Sequence, residues 1–168
     1  MRYRCAKLKP ADQVRAWIYH VVACVAAAQA GATPPPRTLI ALKNKTSCED
    51  IEFAPLGAEQ AGEFLEQLAQ GYRRGMARPL PLFPGCAKAY VKATQSKNAT
   101  AEKIEDAVRK AWEGDFVSRG DRVDPHIEYC FRDTDPLITF AEEFRELAEF
   151  LWSPILEQHN ASTKRAKK

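Results

Sequence analysis

The sequence predicts an α/β domain that leans towards helix (α+β in proportion), on three observations. Long apolar stripes recur at helical spacing, a few short β-branched runs read as strands, and proline and glycine punctuate both. The chain has 168 residues and 18.9 kDa, within the usual one-domain range of roughly 100–200 residues. Hydrophobic residues make up 45% and charged residues 28%, enough apolar mass to offset chain entropy, so wholesale disorder is excluded.

Arg2 to Leu8 alternates as a strand does, with Tyr3, Cys5 and Lys7 on one side and Arg2, Arg4 and Ala6 on the other. Pro10 then opens a helix where its missing N–H costs nothing. Val14, Trp17, Ile18, Val21, Val22 and Val25 form one apolar stripe, predicting a helix over 11–30 that Gly31 and Pro34-Pro35-Pro36 end. Thr38–Leu42 and Glu49–Phe53, joined by the polar turn 43–47, read as a hairpin. A second helix is predicted over Ala58–Met76, with Ala61, Phe64, Leu65, Leu68 and Tyr72 on its inner face.

Three prolines among residues 79–84 forbid helix, so Arg78–Pro84 is an extended strap laying Leu80, Leu82 and Phe83 on a surface. These three are candidates for docking a partner, against the alternative that the strap simply covers core. Further helices are expected over 85–95, over 100–113 with Thr100 as cap, near 125–133, and from Asp135-Pro136 onward with Phe140, Phe144, Leu147, Ala148 and Leu151 buried. One domain is expected over 1–160, followed by a basic, disordered tail over 161–168. The first strand has no evident partner, which suggests a sheet that was cut, with Met1 opening a piece of a larger protein.

The formal net charge of +3 hides an asymmetry: residues 1–50 carry +5, 51–132 none, 133–160 carry −6, and the last eight +4. A basic front would serve as a footprint for nucleic acid, but the simpler reading of such runs is solvated faces. The cations in question are Arg2, Arg4, Lys7 and Lys9, with Lys43 and Lys45 in the hairpin turn.

Five cysteines, at 5, 24, 48, 86 and 130, form neither a disulfide framework nor a zinc site. With no apolar run near the ~20 residues of a membrane span, the expectation is a cytoplasmic protein with no membrane contact. Metal-dependent phosphodiester cleavage needs carboxylates holding the ion and a lysine nearby. No Glu-x-Lys or Asp-x-Lys occurs, and the strand Arg2–Leu8 has no acid. His126-Ile-Glu128 lacks the cysteine half of a zinc deaminase motif. Asp133-Thr134-Asp135 before Pro136 reads as a capping turn, and His20 and Cys24 as residues of the core. Catalytic, metal and cofactor sites are therefore expected to be absent.

Four segments, in order, resemble a known family. Lys7-Leu-Lys-Pro-Ala-Asp-Gln-Val-Arg-Ala-Trp-Ile-Tyr-His20 is similar to the strand-to-helix passage of the C-terminal domain of RecC, the gamma subunit of exodeoxyribonuclease V. Gly75–Pro84, Ala111–Gly114 with Arg119-Gly-Asp121, and Phe131–Leu137 resemble later parts of that domain. The resemblance implies a PD-(D/E)XK nuclease-like core, degenerate and N-terminally truncated, with several flanking helices. Gln13 would stand where active relatives have the glutamine of Gln-x-x-x-Tyr, and Trp17 where they have the tyrosine. It further implies RecB and RecD as partners, DNA (double-strand ends and separated single strands) as ligand, and a non-catalytic scaffold role in the RecBCD helicase–nuclease. The alternatives are a metal-dependent nuclease with a site migrated to Glu49, Asp50 or Glu52, and a helical protein-interaction module without a DNA role.

Overall fold

A computed structural model describes the backbone of residues 2–33, 37–42, 48–116 and 119–165, and the side chains of 8–33, 51–116 and 119–158. Strand β1 (Arg2–Lys7) leads into helix α1 (Pro10–Gln29), and strands β2 (Arg37–Leu42) and β3 (Cys48–Phe53) follow. The three form one sheet in the order β1-β2-β3. β2 and β3 pair antiparallel, Leu42 against Cys48 and Arg37 against Phe53, which is the expected hairpin. β1 is not partnerless: it pairs parallel with β2, Arg2 against Leu39, with an irregularity between Arg4 and Lys7. Parallel pairing needs a crossover of a dozen or more residues, and α1 supplies it. The pairing is long-range and leaves no local signature.

The chain divides into two compact units, Met1–Ala77 with Pro154–Lys168, and Arg78–Ser153. In the first, α1 buries Gln13, Trp17, His20, Val21 and Cys24. This face is turned from the expected stripe, leaving Val22 43% exposed. Hydropathy alone misses the turn because His20 is polar, yet its Nε2 lies 2.8 Å from the Ala54 carbonyl. A carbonyl only accepts, so Nε2–H donates to it. Trp17 meets Phe53 and Phe64 edge-on at 5.4 and 5.8 Å, and the His20 ring stacks on Phe53 at 5.6 Å. Ile51 and Phe53 of β3 are buried, and the Gln158 side chain accepts from the Ala54 N–H at 3.1 Å. Helix α2 (Ala58–Ala77) buries Ala61, but Tyr72 of its expected inner face is 69% exposed.

The second unit is helical: α3 (Pro84–Thr94), α4 (Ala101–Glu113), a 3-10 turn at Asp121–Val123, α5 (Pro125–Phe131), α6 (Pro136–Thr139) and α7 (Ala141–Arg165) as far as Ser153. Caps set their starts. Thr100 accepts from the Lys103 N–H, Asp124 from His126 and Asp135 from Leu137. The last helix expected from Pro136 is two helices, because Phe140 leaves helical geometry (φ −119, ψ 33) between α6 and α7. α7 continues through Pro154 to Arg165, taking in residues 161–165 of the expected tail.

Candidate functional site

Of the six candidate cations, one has a described side chain. Lys9 is exposed at the N-cap of α1, where its backbone N–H donates to Asp12 Oδ2 at 3.1 Å. Arg2, Arg4 and Lys7 lie on the β1 backbone, but their side chains are outside the described residues, as are Lys43 and Lys45 entirely. Gln13 and Trp17 are 6% and 1% exposed, one turn apart on α1. Trp17 Nε1 has no hydrogen-bond partner among the described residues. Both residues serve the core of the first unit.

Of the acids considered for a migrated nuclease site, Glu52 is exposed on β3, and the side chains of Glu49 and Asp50 lie outside the described residues. Among the described residues no three His, Cys, Asp or Glu side chains are grouped to hold a metal ion. His126 and Glu128 are exposed on α5. No described helix is long and apolar enough to cross a membrane.

In the second unit the residues that carry the later resemblance converge. Phe83, a docking candidate in the sequence, is buried at 1% exposure, its ring 4.9 Å from Trp112, 5.5 Å from Phe131 and 6.2 Å from Phe144. A side chain so enclosed cannot present itself to a partner, and the strap's proline-fixed path aims it inward. Leu80 and Leu82 are half-buried. Arg78, at the start of the strap, makes a two-pronged pair with Glu143 of α7 at 2.6 and 2.9 Å. That hydrogen bond, with the carboxylate's charge, raises the guanidinium pKa further.

Asp121 closes the first turn of α3. Its Oδ2 accepts from the Cys86 N–H at 2.8 Å, and a Cβ on Gly85 would stand 2.9 Å from Oδ1. A Cβ on Gly120 would meet the Trp112 carbonyl oxygen, so only glycine fits there. Burial, and then the neighbouring Asp121 carboxylate, push the Cys86 thiol far above its ordinary range. Cys86 is therefore an inert core thiol. The sequence flagged Arg119-Gly-Asp121 only by resemblance. The acid-after-glycine pattern was the one signal of a clamp, and its target lies 35 residues earlier.

A family model described as the RecC C-terminal domain matches residues 1–95, from β1 to the end of α3. The chain belongs to the RecC C-terminal domain family. Two curated relatives agree. The RecBCD enzyme subunit RecC of Escherichia coli (strain K12) is 28% identical over 144 residues, 81% of this chain and 12% of that protein. The RecBCD enzyme subunit RecC of Buchnera aphidicola subsp. Schizaphis graminum is 23% identical over 164 residues, 94% of this chain and 14% of that protein. The chain thus spans about one-eighth of the length of these relatives. In this RecC C-terminal domain, Gln13, Trp17, Phe83, Trp112, Asp121 and Phe131 pack, cap or stack.

Proposed function

We propose that the chain is a non-catalytic scaffold and DNA-handling domain of a cytoplasmic exodeoxyribonuclease V-type helicase–nuclease that processes double-strand ends. Its partners in this reading are RecB and RecD subunits, with DNA ends and the separated strands as ligand. The observation that carries the reading is the RecC family match, together with a first strand, Arg-Tyr-Arg-Cys-Ala-Lys, that offers no carboxylate. Mg²⁺ is held by oxygen ligands, chiefly carboxylates, so a strand whose charged side chains are all cationic repels it. The β1–α1–β2 unit followed by the β3 hairpin is compatible with a degenerate nuclease-like core in which Gln13 and Trp17 have become packing residues.

Arg2, Arg4, Lys7, Lys9, Lys43 and Lys45 are the candidate phosphate contacts. Each neutralised phosphate releases counterions, so their binding weakens steeply with salt. Leu80 and Leu82 remain the strap's candidates for partner contact. The test is to express the chain within its full subunit alongside the cognate RecB and RecD. The expected result is a three-subunit complex whose ATP-dependent unwinding of duplex ends is lost when residues 1–168 are deleted. Wild-type assembly and unwinding after the deletion would remove the scaffold role.

A further inference from the structure

The second unit contains a cleft of about 710 Å³ bordered by α3, α4, α6 and α7. This volume lies within the range of specific binding sites. On α4, Ile104, Val108 and Trp112 line it at four-residue spacing, a stripe of ~12 Å or about two helical turns. Leu137, Ile138 and Phe144 line the same space. The stripe is only partly covered, since Ile104 and Trp112 are half-buried, and Ile138 at the rim is 77% exposed.

Three arginines and no lysine border the cleft, with Trp112 and Tyr90. Aromatic residues and arginine enriched over lysine are the composition of protein-interface cores rather than of ordinary surface. The charges are unequally committed. Arg109 is paired with Glu105 at 3.1 Å, and Asp135 caps α6 through the Leu137 N–H. Arg122 and Arg145 hold no hydrogen bond or ion pair among the described residues, against Glu113 as the one uncommitted acid.

We propose that this cleft docks an amphipathic helix of a partner protein, its apolar ridge on the Ile104–Val108–Trp112 stripe and its carboxylates on Arg122 and Arg145. Helix-in-groove recognition uses anchors at this spacing, and the free guanidiniums select the sign of the flanking charge. The proposal goes beyond the scaffold and DNA-handling reading and stands on the cleft alone, so either can fail without the other.

The test titrates the full chain, by fluorescence anisotropy, with a labelled helical peptide of about 16 residues carrying leucines at i, i+4 and i+7 flanked by glutamates. A twin peptide has lysines in place of the glutamates. The glutamate peptide is expected to bind about tenfold tighter. Arg122→Glu with Arg145→Glu should reverse that order, and Ile138→Asp should remove both interactions. All three positions are exposed, and an unchanged melting temperature confirms that the variants fold. Equal affinities, or a preference that survives the charge reversal, would overturn the proposal. So would self-association of the free chain that Ile138→Asp abolishes, because the cleft would then belong to a second copy.

Discussion

In the first unit the chain leaving β3 is fastened by a buried imidazole, His20 to the Ala54 carbonyl. In the second the start of α3 is fastened by a half-buried carboxylate, Asp121 to the Cys86 N–H. Both side chains satisfy a backbone group that would otherwise be left without a partner. His20 is fully buried among Trp17 and Phe53, so it acts as a ring that packs and donates at once. Asp121 works beside Gly85, where a Cβ would press on the Asp121 carboxylate itself, and Gly120, where a Cβ would collide with backbone. The first unit is therefore vulnerable to loss of volume and of a donor, and the second also to gain of a single methyl group.

The largest effects should come from the two aromatic hubs. Trp17→Ala and Phe83→Ala should each cost about 3–5 kcal/mol, because both leave cavities among rings that cannot collapse fully. Hydrogen exchange should locate the damage, with protection lost over 10–77 for Trp17→Ala and over 78–153 for Phe83→Ala. Protection lost uniformly along the chain would erase the distinction between the units.

The next tests separate the two fasteners. His20→Ala removes ring volume and leaves the Ala54 carbonyl without its donor, at about 2–4 kcal/mol in urea denaturation. Asp121→Ala removes a cap-like bond from an accessible site and should cost about 1 kcal/mol. Gly120→Ala should cost more than Asp121→Ala, since its Cβ collides with backbone rather than with a flexible side chain. A reversed order would mean that the carboxylate's charge, and not the close backbone approach, holds the second unit together.

The smallest effect is one of pH. Burial raises the Cys86 thiol pKa, so the folded state holds that proton more tightly than the unfolded state. The associated stability is present below the ordinary thiol value of 9.0 and declines as pH rises past it, where the unfolded thiol ionises first. Urea midpoints between pH 7 and about 10.5 should fall more steeply for the wild type than for Cys86→Ala. Cys130, exposed, should react with a disulfide reagent in the native state while Cys24 and Cys86 do not.

Much of this architecture was legible because it is local. Pro10 and the apolar stripe place α1 within a residue of its ends, and three-proline punctuation marks the strap. Thr100 and Asp135 announce their helices by capping chemistry, whereas Asp124 shows itself as a cap only in the fold. What escaped is non-local. The parallel β1–β2 pairing carries no turn signal, and the rotated face of α1 depends on a carbonyl 34 residues away. The break at Phe140 lies inside a continuous apolar pattern, so periodicity runs through it. Phe83 illustrates the limit for the site. Its neighbours Pro81 and Pro84 show that the segment is extended, but only the folded unit shows that Trp112, Phe131 and Phe144 close over it.

The central claim, a RecC-family domain that handles DNA without cutting it, is tested most directly on labelled forked DNA with Mg²⁺, at about 50 and 200 mM salt. The account predicts intact DNA after prolonged incubation, with binding that weakens strongly at the higher salt and on replacing Arg2, Arg4, Lys7 and Lys9 by glutamate. Cleavage that is abolished by Asp50→Ala would contradict it.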